Sequence, residues 1–209
     1  MTKIKAVLFD MDGVLIDAKQ WHFEALNRAL AIYGYEIPVT KHLLYYDGLP
    51  TKVKLDKLSA ETGLPLELHD EINKKKQEFT MELIMERCHP NPIHEYCLSE
   101  LKSHGYHIAC CSNSIRHTVE TMLKLANLDK YLDFIVSNQD VIKPKPDPEI
   151  YTKAINKLNL SPDECLIVED NENGIRAALS AGGHLLAVKN INEVNIENIL
   201  NKIKEIESR

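Results

Sequence analysis

An apolar run from Ile4 to Phe9, broken by a single lysine, ends in Asp10-Met11-Asp12-Gly13-Val14. The run has the length and near-continuous apolar character of a parallel strand buried on both faces, and such a strand needs helices covering both sides of its sheet. At the carboxyl end of that strand lies the crevice in which open α/β sheets bind ligands. Asp10 and Asp12 therefore bring two carboxylates into that crevice. Carboxylates this close repel each other unless a cation lies between them, and a hard, oxygen-preferring ion such as Mg²⁺ meets the need. A turn capped by Asp and Gly is the competing reading of the same residues.

The rest of the chain alternates in the way such a strand requires, with one interruption. Residues 18–34 carry Ala25, Leu26, Ala29, Leu30 and Tyr33 at helical spacing and stop at Gly34. A second helix is predicted over 51–62, ended by Gly63 and Pro65, and a third from 65 or 66 towards Glu86. Beyond Pro92 the pattern changes. Helices over 93–104, 114–126, 148–158 and 173–181 alternate with strands over 107–112, 134–137, 165–168 and 185–188, and a last helix carries Ile196, Ile199, Leu200, Ile203 and Ile206. Strands alternating with helices specify a parallel sheet covered on both faces. The fold class is therefore α/β: a Rossmann-like parallel-sheet core from residues 1–16 and 88–209, with a small all-helical domain, 17–87, inserted after the first strand and expected over the carboxyl edge of the sheet.

Composition narrows the partners. The 209 residues carry 25 basic and 31 acidic side chains, a net charge of −6, with no cluster of cations of the kind that nucleic acid or an anionic membrane surface needs. The longest basic run, Lys74-Lys75-Lys76, reads as a solvated helix face. Five cysteines without paired metal spacing indicate a reducing compartment, and the apolar stretch at the N-terminus is too short for a signal peptide or a membrane span, so a cytoplasmic location is expected. No nucleic-acid or membrane partner is expected, and the assembly state expected is a monomer or weak homodimer.

Four polar clusters fall at or just beyond the ends of predicted strands, and in a parallel sheet those ends share one edge. Asp10 with Asp12 is the first. Ser112-Asn113-Ser114 is the second, a hydroxyl-rich turn at a helix N-terminus that suits a phosphate oxygen. The third is Lys143-Pro144-Lys145-Pro146-Asp147-Pro148, where prolines stiffen a loop that can aim a lysine inward. Glu169-Asp170, followed by Gly174, is the fourth. Each cluster alone has an ordinary explanation as a cap or solvated loop, but together they make a magnesium and phosphate site.

This set, in this order, resembles the four motifs of the haloacid dehalogenase-like superfamily, and the helical insertion looks like the cap of its β-phosphoglucomutase-like branch. The resemblance implies Asp10 as nucleophile and Asp12 as general acid and base. It implies Mg²⁺ held by Asp10, the backbone carbonyl of Asp12 and Asp170, with Glu169 as the additional acid beside the metal. Ser112 and a lysine would hold the phosphoryl oxygens, and the K-P-x-P-D pattern selects Lys143 over Lys145. Asn113, His22 on the first cap helix, and Gly48, Thr51 and Lys52 of the cap loop are the expected substrate contacts.

An oxygen leaving group needs a proton donor and halide does not, so Asp12 favours phosphoryl transfer over dehalogenation. The expected activity is Mg²⁺-dependent hydrolysis of a small phosphomonoester, with sugar phosphates the favoured class, through an aspartyl phosphate. A β-phosphoglucomutase-type phosphosugar mutase is the alternative. The resemblance would lead one to expect an arginine after Gly48 in a mutase, and Thr51 and Lys52 stand there instead. A non-catalytic binding module on the same fold is the remote third reading.

Overall fold

The computed structural model describes residues 3–208. Its contacts divide the chain into two compact units, one running to Asp17 and resuming at His89, the other Ala18–Cys88.

The Ala18–Cys88 unit is helical: α1 (Lys19–Ala31), α2 (Val39–Tyr45), α3 (Thr51–Thr62) and α4 (His69–Arg87), with one 3₁₀ turn at Leu66–Leu68. Leu26 and Leu30 of α1, Leu55 and Leu58 of α3 and Ile72 of α4 meet in one core with Tyr46. The Asn27 side chain straps the following loop to α1, donating to Ile37 O at 2.9 Å and accepting from Ile37 N at 2.8 Å. Gly63 ends α3 at φ +76°, a left-handed cap that a side chain would strain. Helix α2 has no counterpart in the sequence reading. Only His42 of its seven residues is buried, while Val39, Leu43, Leu44 and Tyr45 are exposed, so the buried stripe that marks a helix in sequence is missing. The basic run also divides differently from expectation. Lys74 faces solvent and Lys75 pairs with Glu78 at the surface, but Lys76 is buried, because it continues the inward stripe of Ile72 one turn later.

The other unit holds a five-stranded parallel sheet of β1 (Ala6–Phe9), β2 (His107–Cys111), β3 (Phe134–Val136), β4 (Cys165–Glu169) and β5 (His184–Ala187), in the order β3-β2-β1-β4-β5. β1 is central, with Phe9 opposite Cys110 on one side and Val168 on the other. The helices α5 (Pro92–Ser103), α6 (Arg116–Leu125), α7 (Glu149–Lys157), α8 (Glu172–Ser180) and α9 (Ile196–Glu207) alternate with the strands. One sheet face, with Ala6, Leu8, Ala109, Cys111 and Ile167, packs against Tyr151 and Ala154 of α7 and Ala177 of α8. The alternate residues Val7, Phe9, Ile108, Cys110, Leu166 and Val168 are equally buried on the opposite face. Burial on both faces is what makes these strands read as continuous apolar runs.

Candidate active site

The site begins where the central ladder runs out of strand. Asp10 N still donates to Val168 O at 3.0 Å, and the chain then turns on itself, with the amides of Leu15 and Ile16 both donating to Met11 O. Gly13 takes φ +95° in that turn, a conformation a side chain would strain, and donates to Ile16 O at 2.7 Å. The turn leaves Asp10 buried at the end of β1 and Asp12 half-buried beside it.

β2 ends in the same way, with Ser112 N donating to Val136 O. The buried Ser112 Oγ accepts from Ser114 N at 3.0 Å, and Ser114 Oγ donates to Asp12 Oδ2 at 3.1 Å, so this turn is tied to the first acidic pair. Asn113 clamps the proline-rich loop: its Oδ1 accepts from Lys145 N at 3.0 Å and its Nδ2 donates to Lys145 O at 3.3 Å. An amide satisfying both backbone groups of one residue fixes that residue's position and direction.

The lysine so fixed is Lys145, which corrects the expectation that Lys143 enters the site. Lys145 is 2 % exposed, with Nζ 2.7 Å from Asp10 Oδ1, 2.6 Å from Glu169 Oε1, 2.7 Å from Cys111 O and 2.9 Å from the Tyr151 hydroxyl. The Lys143 side chain is 72 % exposed and 3.9 Å from Asp147. The sequence contains two overlapping frames, Lys143-Pro144-Lys145-Pro146-Asp147 and Lys145-Pro146-Asp147-Pro148-Glu149; the first matches K-P-x-P-D to the letter, and the second carries glutamate in place of the closing aspartate. The start of α7 at Glu149 separates them, since the second frame runs into the helix and the first stops in the loop. The Lys145–Pro146 peptide is cis.

Glu169 is fully buried at the end of β4. Its Oε1 accepts from Lys145 and, at 2.5 Å, from the Tyr151 hydroxyl, and its Oε2 accepts from Asp170 N at 3.2 Å. Asn171 caps α8 by accepting from Gly174 N, and a Cβ on Gly174 would lie 2.0 Å from the Glu169 carboxylate. Glycine is therefore required there by close approach. The carboxylates of Asp10, Glu169 and Asp170 offer oxygens within 4.8 Å of one another. Asp12 is not in that group; its carboxylate faces Ser114.

Burial, and then the neighbouring Glu169, pushes the Asp10 carboxyl well above the usual carboxylate range, against the pull of Lys145. Burial opposes the charge on Lys145, yet Asp10 and Glu169 outweigh it and hold the ammonium protonated above the ordinary lysine range. Burial also pushes the Cys111 thiol up to about 12, so it stays neutral and offers no competing nucleophile.

Of the expected residues, the structure brings Asp10, Asp12, Ser112, Asn113, Glu169 and Asp170 to one edge of the sheet. His22, Gly48, Thr51 and Lys52 belong to the helical unit. There His22 Nδ1 lies 3.3 Å from the buried Lys76 Nζ, Gly48 turns at φ +68° between α2 and α3, and Thr51 and Lys52 open α3. The sequence reading gave Tyr151 no role, and Ser114 only its place in the hydroxyl-rich turn, not its bond to Asp12. Tyr151 carries a signal only as an aromatic residue six positions beyond the lysine, and nothing local shows that its hydroxyl is turned towards charge.

A family model described as haloacid dehalogenase-like hydrolase matches residues 7–188. The chain is 30 % identical over 222 residues to a phosphorylated carbohydrates phosphatase of Thermotoga maritima, covering 97 % of this chain and 100 % of that protein. It is 31 % identical over 197 residues to pyrophosphatase PpaX of Bacillus thuringiensis, covering 89 % of this chain and 83 % of the relative. Among solved structures it is similar to β-phosphoglucomutase from Clostridium difficile, with a TM-score of 0.84, 26 % identity and coverage of 99 % and 100 % of the two chains.

Proposed function

The chain belongs to the haloacid dehalogenase-like hydrolases, in their β-phosphoglucomutase-like branch, and from that membership we propose a Mg²⁺-dependent phosphatase that hydrolyses a small phosphorylated carbohydrate through a phosphorylated Asp10. The observation that carries the reading is Lys145 Nζ seated between Asp10 and Glu169 with Asp170 alongside. The substrate class rests on the relative named for phosphorylated carbohydrates.

The donor set fits a hard divalent cation. Three clustered carboxylates against one ammonium leave an anionic surplus, and the raised proton affinity of Asp10 shows how poorly burial tolerates it. An all-oxygen set with that surplus suits Mg²⁺, which Asp10 and Asp170 would hold together with the backbone carbonyl of Asp12, with Glu169 beside them. When bound, Mg²⁺ supplies the charge neutralisation that lets an anionic phosphate approach a carboxylate.

Asp10 attacks phosphorus with a carboxylate oxygen as the ester P–O bond breaks, and Asp12 gives its proton to the departing oxygen. Water then attacks the phosphorus of the aspartyl phosphate, Asp12 takes up the proton, and Asp10 is restored as a carboxylate with release of inorganic phosphate. Lys145 fixes Asp10 through Oδ1 and, with Ser112, would receive phosphoryl oxygens. The location proposed is cytoplasmic: Cys97, Cys110, Cys111 and Cys165 are buried free thiols, and no helix among the described residues is long and apolar enough to cross a membrane.

Purified protein with Mg²⁺ is expected to release phosphate from sugar phosphates in a panel of phosphomonoesters, and Asp10→Asn to lose at least about 10⁴-fold in rate. No phosphate release from the whole panel, with wild type and Asp10→Asn alike, ends the reading. The likeness to β-phosphoglucomutase keeps a mutase as second reading. Conversion of β-glucose 1-phosphate to its isomer without free phosphate, when a bisphosphate primer is supplied, would establish it.

A further inference from the structure

We propose that Tyr151 is a positioning residue for the reaction, its hydroxyl setting the Glu169 carboxylate and through it the ammonium of Lys145 against Asp10. The inference rests on the phosphatase reading and goes beyond it by assigning a role to a residue of the sheet core. An ammonium has three protons. Asp10 Oδ1, Glu169 Oε1 and Cys111 O accept from it at 2.7, 2.6 and 2.7 Å. The Tyr151 oxygen is a fourth acceptor, 2.9 Å from Nζ, and the tyrosine's own proton goes to Glu169 Oε1 at 2.5 Å.

Without that proton, Glu169 keeps, among the described residues, Lys145 itself and a longer contact from Asp170 N. The carboxylate that aims the lysine would then be held mainly by the group it aims. The Tyr151 ring is fully buried in the core with Ala6, Leu8 and Ala154, and those contacts need no hydroxyl. A phenylalanine would serve the fold, so the polar atom is explained by the charges it touches. Lys145 and Tyr151 stand six residues apart, so one short segment supplies both the ammonium and the hydroxyl that orients its partner.

Tyr151→Phe keeps the ring and removes the hydrogen bond. Its kcat on the best sugar phosphate is expected to fall about 10- to 100-fold, as on loss of an outer-shell partner, with KM unchanged. The rise in melting temperature produced by Mg²⁺ with beryllium fluoride, which stands in for a phosphoryl group on a carboxylate, is expected to shrink in the variant. A structural role would lower the starting melting temperature and leave that rise intact. Adding Tyr151→Phe to Glu169→Gln should cost nothing further, because both act through one contact.

Wild-type kcat and an undiminished fluoride response in Tyr151→Phe overturn the inference, as do additive losses in the double variant. A variant that no longer melts cooperatively overturns it too, since the hydroxyl would then be a determinant of the fold. If wild type neither turns over nor responds to fluoride, the phosphatase reading has failed and takes this inference with it. If wild type does both and Tyr151→Phe equals it, only the role of Tyr151 is lost.

Discussion

Lys145 sits where a lone cation could not persist, almost without solvent, and is retained because two carboxylates and a carbonyl accept its protons. Removing one partner of such a group leaves the others uncompensated. Lys145→Ala is therefore expected to lower kcat/KM by about 10²- to 10³-fold, as for one donor aimed at developing charge. It should also destabilise the fold by about 3–5 kcal/mol, as when a buried ion pair is broken. Lys143→Ala, which removes a solvated side chain, should change neither. Steady-state kinetics and denaturant melts on the two variants check this, and equal losses would refute the assignment. Gly174 belongs to the same scale: a methyl group there meets the Glu169 carboxylate at 2.0 Å, so Gly174→Ala should displace Glu169 and cut activity while leaving α8 formed by circular dichroism.

Elements fix the site by the way their ends are tied. The turn after β2 grips the proline-rich loop through Asn113, so Asn113→Ala should lower kcat more than it raises KM, the opposite of what a pure substrate contact would show. At the end of β3, Asp140 accepts from the backbone and hydroxyl of Ser137 at 2.7 Å each and from Arg116 at 2.6 Å. Partial burial works against its charge, but these bonds prevail and bring its pKa down from 3.8 to about 2. A depressed carboxylate stabilises the fold above its unfolded-state pKa and loses that contribution as pH falls through the folded value. The melting temperature of wild type should therefore exceed that of Asp140→Asn at pH 6, with the gap closing between about pH 4 and pH 2. A gap that persists unchanged to pH 2 would contradict the assignment.

At the scale of the molecule, the parallel sheet brings together acids that stand more than 150 residues apart, Asp10 on the central strand and Asp170 beyond its neighbour. A cation bound to the folded chain alone must stabilise it. Mg²⁺ at about 100 times its dissociation constant should add about 2.7 kcal/mol, a chelator should reverse the gain, and Asp170→Ala should abolish it. A melting temperature indifferent to Mg²⁺ in wild type would remove the metal from the account.

The α/β class, the alternation of strands and helices, and the acids at the sheet edge were legible in the chain itself, because burial on both faces writes unbroken apolar runs and polar clusters end them. Helix α2 was not legible, since a helix that buries one residue leaves no stripe. The lysine was not legible either. Two overlapping frames differ in the acid that closes them, Asp147 or Glu149, and the choice between them is made by the Asn113 amide, which captures the backbone at 145, and by Glu169 and Tyr151, which receive the side chain. Local sequence determined which chemical groups reach the edge. Which of them touch was decided only when strands distant in the chain were paired, because a hydrogen bond depends on separation in space and not along the chain.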